Sequence, residues 1–127
     1  MISKFLASQL RQPSGWFGKQ IISRVLNRDN AAMNKLALRM LNLESADEHV
    51  LELGLGGGYL LKNILKKSGV KTVSGIDISP EMVDLCRKRF ASDIEVGKLK
   101  IQCSSKVEKE YFEHKFTKIC TVNTIYF

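Results

Sequence analysis

Apolar residues recur at helical spacing through the first third of the chain, then condense into short runs separated by glycine and polar turns. Ile2, Phe5, Leu6 and Leu10 share one helix face. Phe17, Ile21, Val25 and Leu26 follow with the same period, and Met33, Leu36, Ala37, Met40 and Leu41 form a third stripe. The Gln12-Pro13-Ser14-Gly15 tetrapeptide and the polar residues 27–30 interrupt this pattern. From residue 50 the period changes. Val50, Leu51, Leu53 and Leu55 predict a short apolar strand in which Glu52 is the only charge. Residues 59–67 predict a helix with Leu60, Leu61, Ile64 and Leu65 on one face and Lys62, Lys66 and Lys67 on the other. Residues 72–78 read as a second strand. Ser79, Pro80 and Glu81 then open a helix over 80–90, with serine as the cap, proline at the first helical position, and Met82, Val83, Leu85, Cys86 and Phe90 apolar. Residues 99–103 predict a third strand, 108–114 a polar helix or loop, and 116–122 a fourth strand.

The order β-α-β-α-β-x-β is that of an α/β fold. Right-handed crossovers predict a doubly wound, Rossmann-like parallel sheet with strand order 3-2-1-4, preceded by N-terminal helices. Two regions result: a helical segment over 1–45 and a partial cofactor-binding domain over 46–127.

The chemistry concentrates where strand one gives way to the next helix. Gly54, Gly56, Gly57 and Gly58 allow a tight turn and the close approach of a ligand. A dinucleotide fingerprint starting at Gly54 would require glycine at position 59, where Tyr59 stands, and no phosphate loop of the G-x-x-x-x-G-K-[ST] type is present. What fits is E-x-G-x-G-x-G, as Glu52, Gly54, Gly56 and Gly58. Asp77 ends the second strand 25 positions after Glu52. A carboxylate there suits a ribose, because it accepts hydrogen bonds from both vicinal hydroxyls of an adenosine laid over the turn. With Ser79 as the helix cap, Asp77 is left free for that role.

These residues resemble the first motifs of class I S-adenosylmethionine-dependent methyltransferases. The resemblance implies S-adenosylmethionine as cofactor, with Glu52 and the glycine turn at its methionyl end, Asp77 on the ribose, and Ile78 against the adenine. Ser104 and Ser105 stand where many members carry an acid that binds the adenine amino group; a serine hydroxyl accepts that bond more weakly. Thr117 also departs from the usual F-D-x-[IV] pattern. Asn123 and Tyr126 fall where the family places residues nearest the transferred methyl group, and they are the candidates for the acceptor side. In the resembled family, helices before the glycine motif close over the cofactor, which makes 1–45 a lid.

The resemblance covers nearly the whole chain but only about the first two-thirds of the family's usual domain. The expectation is a chain shortened inside the fold, with residues 119–127 left as an apolar sheet edge open to self-association. Two functions follow: a methyltransferase acting on a small molecule or lipid, or a truncated, inactive module for cofactor binding or interaction.

Composition narrows this further. The 127 residues are 44% hydrophobic and 26% charged, which is globular. Cys86, Cys103 and Cys120 are scattered, with no C-x-x-C pair and only His49 and His114 to join them, so buried thiols in a reducing cytoplasm are expected and no metal site. The net charge is +7, and residues 1–40 hold seven Lys or Arg against one acid. Such a segment is either a solvated helix face or a surface for anionic partners, including a peripheral contact with an anionic membrane. Nucleic acid ranks last: no N-P-P-Y motif follows the fourth strand, and the charge is not interleaved with stacking aromatics.

Overall fold

The computed structural model describes residues 30–108 and 115–122. The first two apolar stripes of the sequence lie outside the described residues. Helix α1 spans Ala31–Leu41, β1 Glu48–Leu53, α2 Tyr59–Leu65, β2 Val70–Asp77, α3 Pro80–Arg89, α4 Ala91–Glu95, β3 Leu99–Cys103 and β4 Lys118–Thr121. The four strands form one sheet in the order β3-β2-β1-β4, and every pairing is parallel, as the crossover rule requires.

Strand β1 is central, with Val50 opposite Val73 of β2 and Lys118 of β4. One face of the sheet carries Val50, Val73, Leu99, Ile101 and Cys120. Leu60, Leu61, Ile64 and Leu65 of α2 and Val83, Cys86 and Phe90 from α3 and its end pack into the same core. Burying an aliphatic side chain fully is worth about 1.5–3 kcal/mol, so this cluster holds the turn-bearing strand rigidly in the middle of the fold. Ser79 caps α3 as expected, its hydroxyl accepting from the Met82 N–H at 3.3 Å, with proline at the helix start.

Several boundaries differ from the sequence reading. Leu55 is not in the strand: β1 ends at Leu53, and the Leu55 side chain folds back over Gly75 of β2, where a Cβ would lie only 2.6 Å from it. The α2 helix stops at Leu65, ahead of Lys66 and Lys67. The fourth strand begins at Lys118, because Thr117 turns its hydroxyl to the buried Glu48 carboxylate and accepts from the His49 N–H at 2.9 Å. The stripe on α1 also faces differently. Asn34, Ala37, Leu38 and Leu41, spaced i, i+3, i+4, i+7, turn towards the core, whereas Met33, Leu36 and Met40 form a separate exposed row. Helix α4 follows α3 directly, beyond the helix that the sequence predicts over 80–90; it buries none of its residues and so has no stripe to read.

Candidate functional site

The carboxyl ends of β1, β2 and β3 lie side by side, and the turn 54–58 leaves β1 at this edge. Gly54, Gly56 and Gly58 all take positive φ, at 80°, 51° and 81°, a region costly for residues with a Cβ. The turn is held from several sides. Gly54 N–H donates to the Ile76 carbonyl at 2.7 Å, and Gly58 N–H closes back on the Leu55 carbonyl at 2.9 Å.

Asp77 is the centre of this arrangement. One of its oxygens accepts from the Leu55 N–H at 2.8 Å and the Gly56 N–H at 3.2 Å, and the other from the Ser79 N–H at 2.9 Å. The expectation that the Ser79 cap leaves Asp77 free is therefore corrected. Ser79 does cap α3 with its hydroxyl, but its backbone N–H binds Asp77, and the carboxylate ties the glycine turn to the β2 end.

Glu52, one residue before the end of β1, is 3% exposed, and its Oε2 has no hydrogen-bond partner among the described residues. It pairs across the sheet with Gly75 on one side and Cys120 on the other. Burial pushes its carboxyl well above the ordinary value, and the neighbouring Asp77 charge adds to the rise. Burial also raises Asp77, while the N–H groups of Ser79, Gly56, Leu55 and Ile78 pull it back down. The thiols of Cys86 and Cys120 are both pushed up to about 12, first by burial and then by the Glu52 charge. The site thus sets two buried carboxyl groups side by side beneath a glycine turn. Carboxyl oxygens placed there suit a ligand that brings hydrogen-bond donors.

Ile78 follows Asp77 and is 39% exposed. Ser104 is half-buried at the end of β3; its N–H donates to the Asp77 carbonyl at 3.0 Å, and its hydroxyl accepts from the Lys106 N–H at 3.0 Å. Ser105 is exposed beside it. Glu52, the glycines, Asp77, Ile78 and Ser104 are thereby gathered at one edge, while Asn123 and Tyr126 lie outside the described residues. Cys86, Arg89 and Phe90, to which the sequence assigned no place at the site, complete the turn's surroundings. The Cys86 thiol points at the Gly56 carbonyl at 3.8 Å, the Arg89 guanidinium donates to the Gly57 carbonyl, and the Phe90 ring lies 2.8 Å from where a Cβ on Gly58 would be. They sit on a polar-and-apolar helix end whose ordinary helical spacing gives no hint of a turn above it. A separate cavity of about 830 Å³, lined in part by Arg87, Ile94 and Lys100, involves none of the turn residues. Among the described residues no cluster of three or more His, Cys, Asp or Glu could hold a metal ion, and no helix is long and apolar enough to cross a membrane.

The profile of the methyltransferase domain family matches residues 50–127. A malonyl-[acyl-carrier protein] O-methyltransferase of Acetivibrio thermocellus is 36% identical over 72 residues, covering 55% of this chain and 25% of the relative. Ribosomal RNA small subunit methyltransferase A of Aliarcobacter butzleri is 28% identical over 74 residues, covering 58% and 26%. The chain thus spans about a quarter of the length of these relatives. In fold it is similar to a SAM-dependent methyltransferase from Thiobacillus denitrificans solved with S-adenosyl-L-homocysteine. The TM-score is 0.51 at 24% identity, over 73% of this chain and 35% of that one.

Proposed function

Because the chain belongs to the methyltransferase domain family, we propose that it binds S-adenosylmethionine at the glycine turn and serves methyl transfer to a small-molecule or lipid acceptor. The observation that carries the reading is the Glu52 Oε2, buried beside Asp77 and with no partner among the described residues. An orphaned buried acceptor of this kind is costly unless a donor completes it, and the cofactor's ammonium is a cationic donor. The bound cofactor supplies an activated methyl on a sulfonium, so transfer is an in-line displacement that depends on alignment more than on acid or base groups.

In this reading Glu52 faces the methionyl ammonium, and Asp77 receives a ribose hydroxyl while holding the turn. Ile78 and Ser104 border the adenine, with Ser105 at the rim. Asn123 and Tyr126 are assigned to the acceptor side from their sequence positions. The two curated relatives named above act on different acceptors, a malonyl group on a carrier protein and a ribosomal RNA. The small-molecule or lipid class is our reading of the sequence, in which residues 123–126 do not spell the N-P-P-Y motif. Free Cys86, Cys103 and Cys120 favour a reducing compartment.

The test is calorimetry with S-adenosylhomocysteine, followed by methyl transfer from labelled cofactor to separated small-molecule, lipid and RNA fractions. Binding together with label in the lipid or small-molecule fraction supports the proposal. Binding without any labelled product would assign the chain to cofactor binding alone, and label confined to RNA would overturn the acceptor class.

A further inference from the structure

Three consecutive residues of the glycine turn are each met by a different side chain from the end of α3. Cys86 directs its thiol to the Gly56 carbonyl, Arg89 donates to the Gly57 carbonyl, and Phe90 fills the space a Cβ would take on Gly58. Asp77 holds the opposite limb of the same turn, through the N–H groups of Leu55 and Gly56. Glycine is the residue with the most backbone freedom to lose, so a run of three would sample many turn conformations unless something fixes its peptide planes.

A trans peptide points its C=O and the following N–H in opposite directions. Holding the Gly56 carbonyl on α3 therefore turns the Gly57 N–H away from α3. Holding the Gly57 carbonyl on Arg89 sets the next peptide plane so that the Gly58 N–H meets the Leu55 carbonyl, the contact observed at 2.9 Å. The thiol contact is long and weak at 3.8 Å, and the Phe90 contact limits space without aligning a dipole. The guanidinium is the one charged donor of the three, and hydrogen bonds from charged donors are the stronger kind.

We propose that Arg89 is a positioning residue for cofactor binding: it locks the Gly57–Gly58 peptide and so pre-forms the glycine turn. The inference rests on the cofactor reading above and adds to it a residue outside the glycine and acid motifs. Affinity gained this way comes from ordering already present in the free protein.

Arg87 supplies an internal control. It sits on the same helix, is exposed like Arg89, and its guanidinium also donates to a backbone carbonyl, that of Ile101 at 2.9 Å, on β3 rather than on the turn. Arg89→Gln and Arg87→Gln thus remove the same kind of bond from the same helix, and only one touches the turn. The experiment uses the full 127-residue chain. It measures S-adenosylhomocysteine affinity by calorimetry, melting temperature, and amide exchange at Gly57 and Gly58 without ligand, for wild type, Arg89→Gln, Arg89→Lys and Arg87→Gln.

Arg89→Gln is expected to bind about tenfold more weakly and to exchange faster at Gly58, Arg89→Lys to recover most of the affinity, and Arg87→Gln to stay within about twofold of wild type. Both glutamine variants should melt slightly and similarly lower, so that affinity and not melting separates them. Equal affinities for Arg89→Gln and wild type would overturn the assignment. So would equal losses in the two glutamine variants, which would reduce the effect to general helix destabilisation. A folded wild type that does not bind S-adenosylhomocysteine would overturn the cofactor reading itself, and the exchange data alone would then report whether Arg89 orders the turn.

Discussion

Removing the Asp77 carboxylate should loosen the glycine turn even where no ligand is present. In Asp77→Ala three backbone N–H groups lose their acceptor, and the bonds from Leu55 and Ser79 are buried. A buried donor left unsatisfied costs about 1–3 kcal/mol, so the two buried donors together account for about 2–6 kcal/mol. That is a large part of the about 5–15 kcal/mol that holds a typical domain folded. Asp77→Asn separates the hydrogen bonds from the charge. Its carbonyl can keep the Leu55 and Gly56 contacts while its NH₂ faces Ser79, so one acceptor contact is lost. Against that loss, the neutral amide escapes the burial cost that raises the Asp77 carboxyl. The expected penalty for Asp77→Asn is below about 2 kcal/mol and smaller than that of alanine. Urea unfolding gives the totals, and amide exchange at Leu55, Gly56 and Ser79 localises them, with protection falling about tenfold for each 1.4 kcal/mol. An alanine variant within about 0.5 kcal/mol of wild type, with unchanged exchange at those three amides, would refute the reasoning.

Glu52→Gln should change the pH dependence of the ligand-free protein. Both Glu52 and Asp77 carry raised values in the fold, so their contribution to stability is complete below their ordinary values of 4.5 and 3.8 and is lost as pH rises through the raised ones. Melting curves between about pH 4 and 8 should therefore fall less steeply for Glu52→Gln than for wild type, while its affinity for S-adenosylhomocysteine drops; parallel curves would contradict the assignment. Gly58→Ala should cost about 2–4 kcal/mol, from the strained φ and the Phe90 ring 2.8 Å away, and chemical denaturation near wild-type values would show that the turn can move. Native alkylation should modify exposed Cys103 first and spare Cys86 and Cys120, which peptide mass mapping would check. Ile119, 61% exposed on the outer strand β4, should promote association; Ile119→Lys is expected to lower the mass seen by light scattering at high concentration, and an unchanged mass would exclude this edge.

What could be read from the sequence followed from local periodicity. The apolar run into Gly54, the two-faced helix of Leu60, Leu61, Ile64 and Leu65, and the Ser79-Pro80 cap each declare themselves within a few residues, and parallel crossovers then leave little choice of strand order. What could not be read depends on contacts between distant segments. The Asp77 carboxylate reaches the Leu55 N–H across 22 residues, and the Arg89 guanidinium reaches Gly57 across 32. No spacing rule announces such encounters. Leu55 continued the alternation of the strand and so looked like part of it, although it leaves the ladder to cover Gly75. On α1, counting only apolar letters drew in Met33, Leu36 and Met40 and passed over Asn34, which is buried among the inward-facing positions.

The central position of β1 has a consequence for how the protein is made. The strand that carries the glycine turn needs a partner on each side, and these arrive at very different times. Strand β2 follows within about one helix and turn, whereas β4 joins through contacts such as His49 with Thr117, 68 residues apart in the chain. Closing that long loop is entropically slow, and non-local parallel pairing is the kind that delays folding. During synthesis on the ribosome the turn-bearing strand therefore emerges with one side bare, and it acquires its second neighbour only after residue 121 has left the exit tunnel.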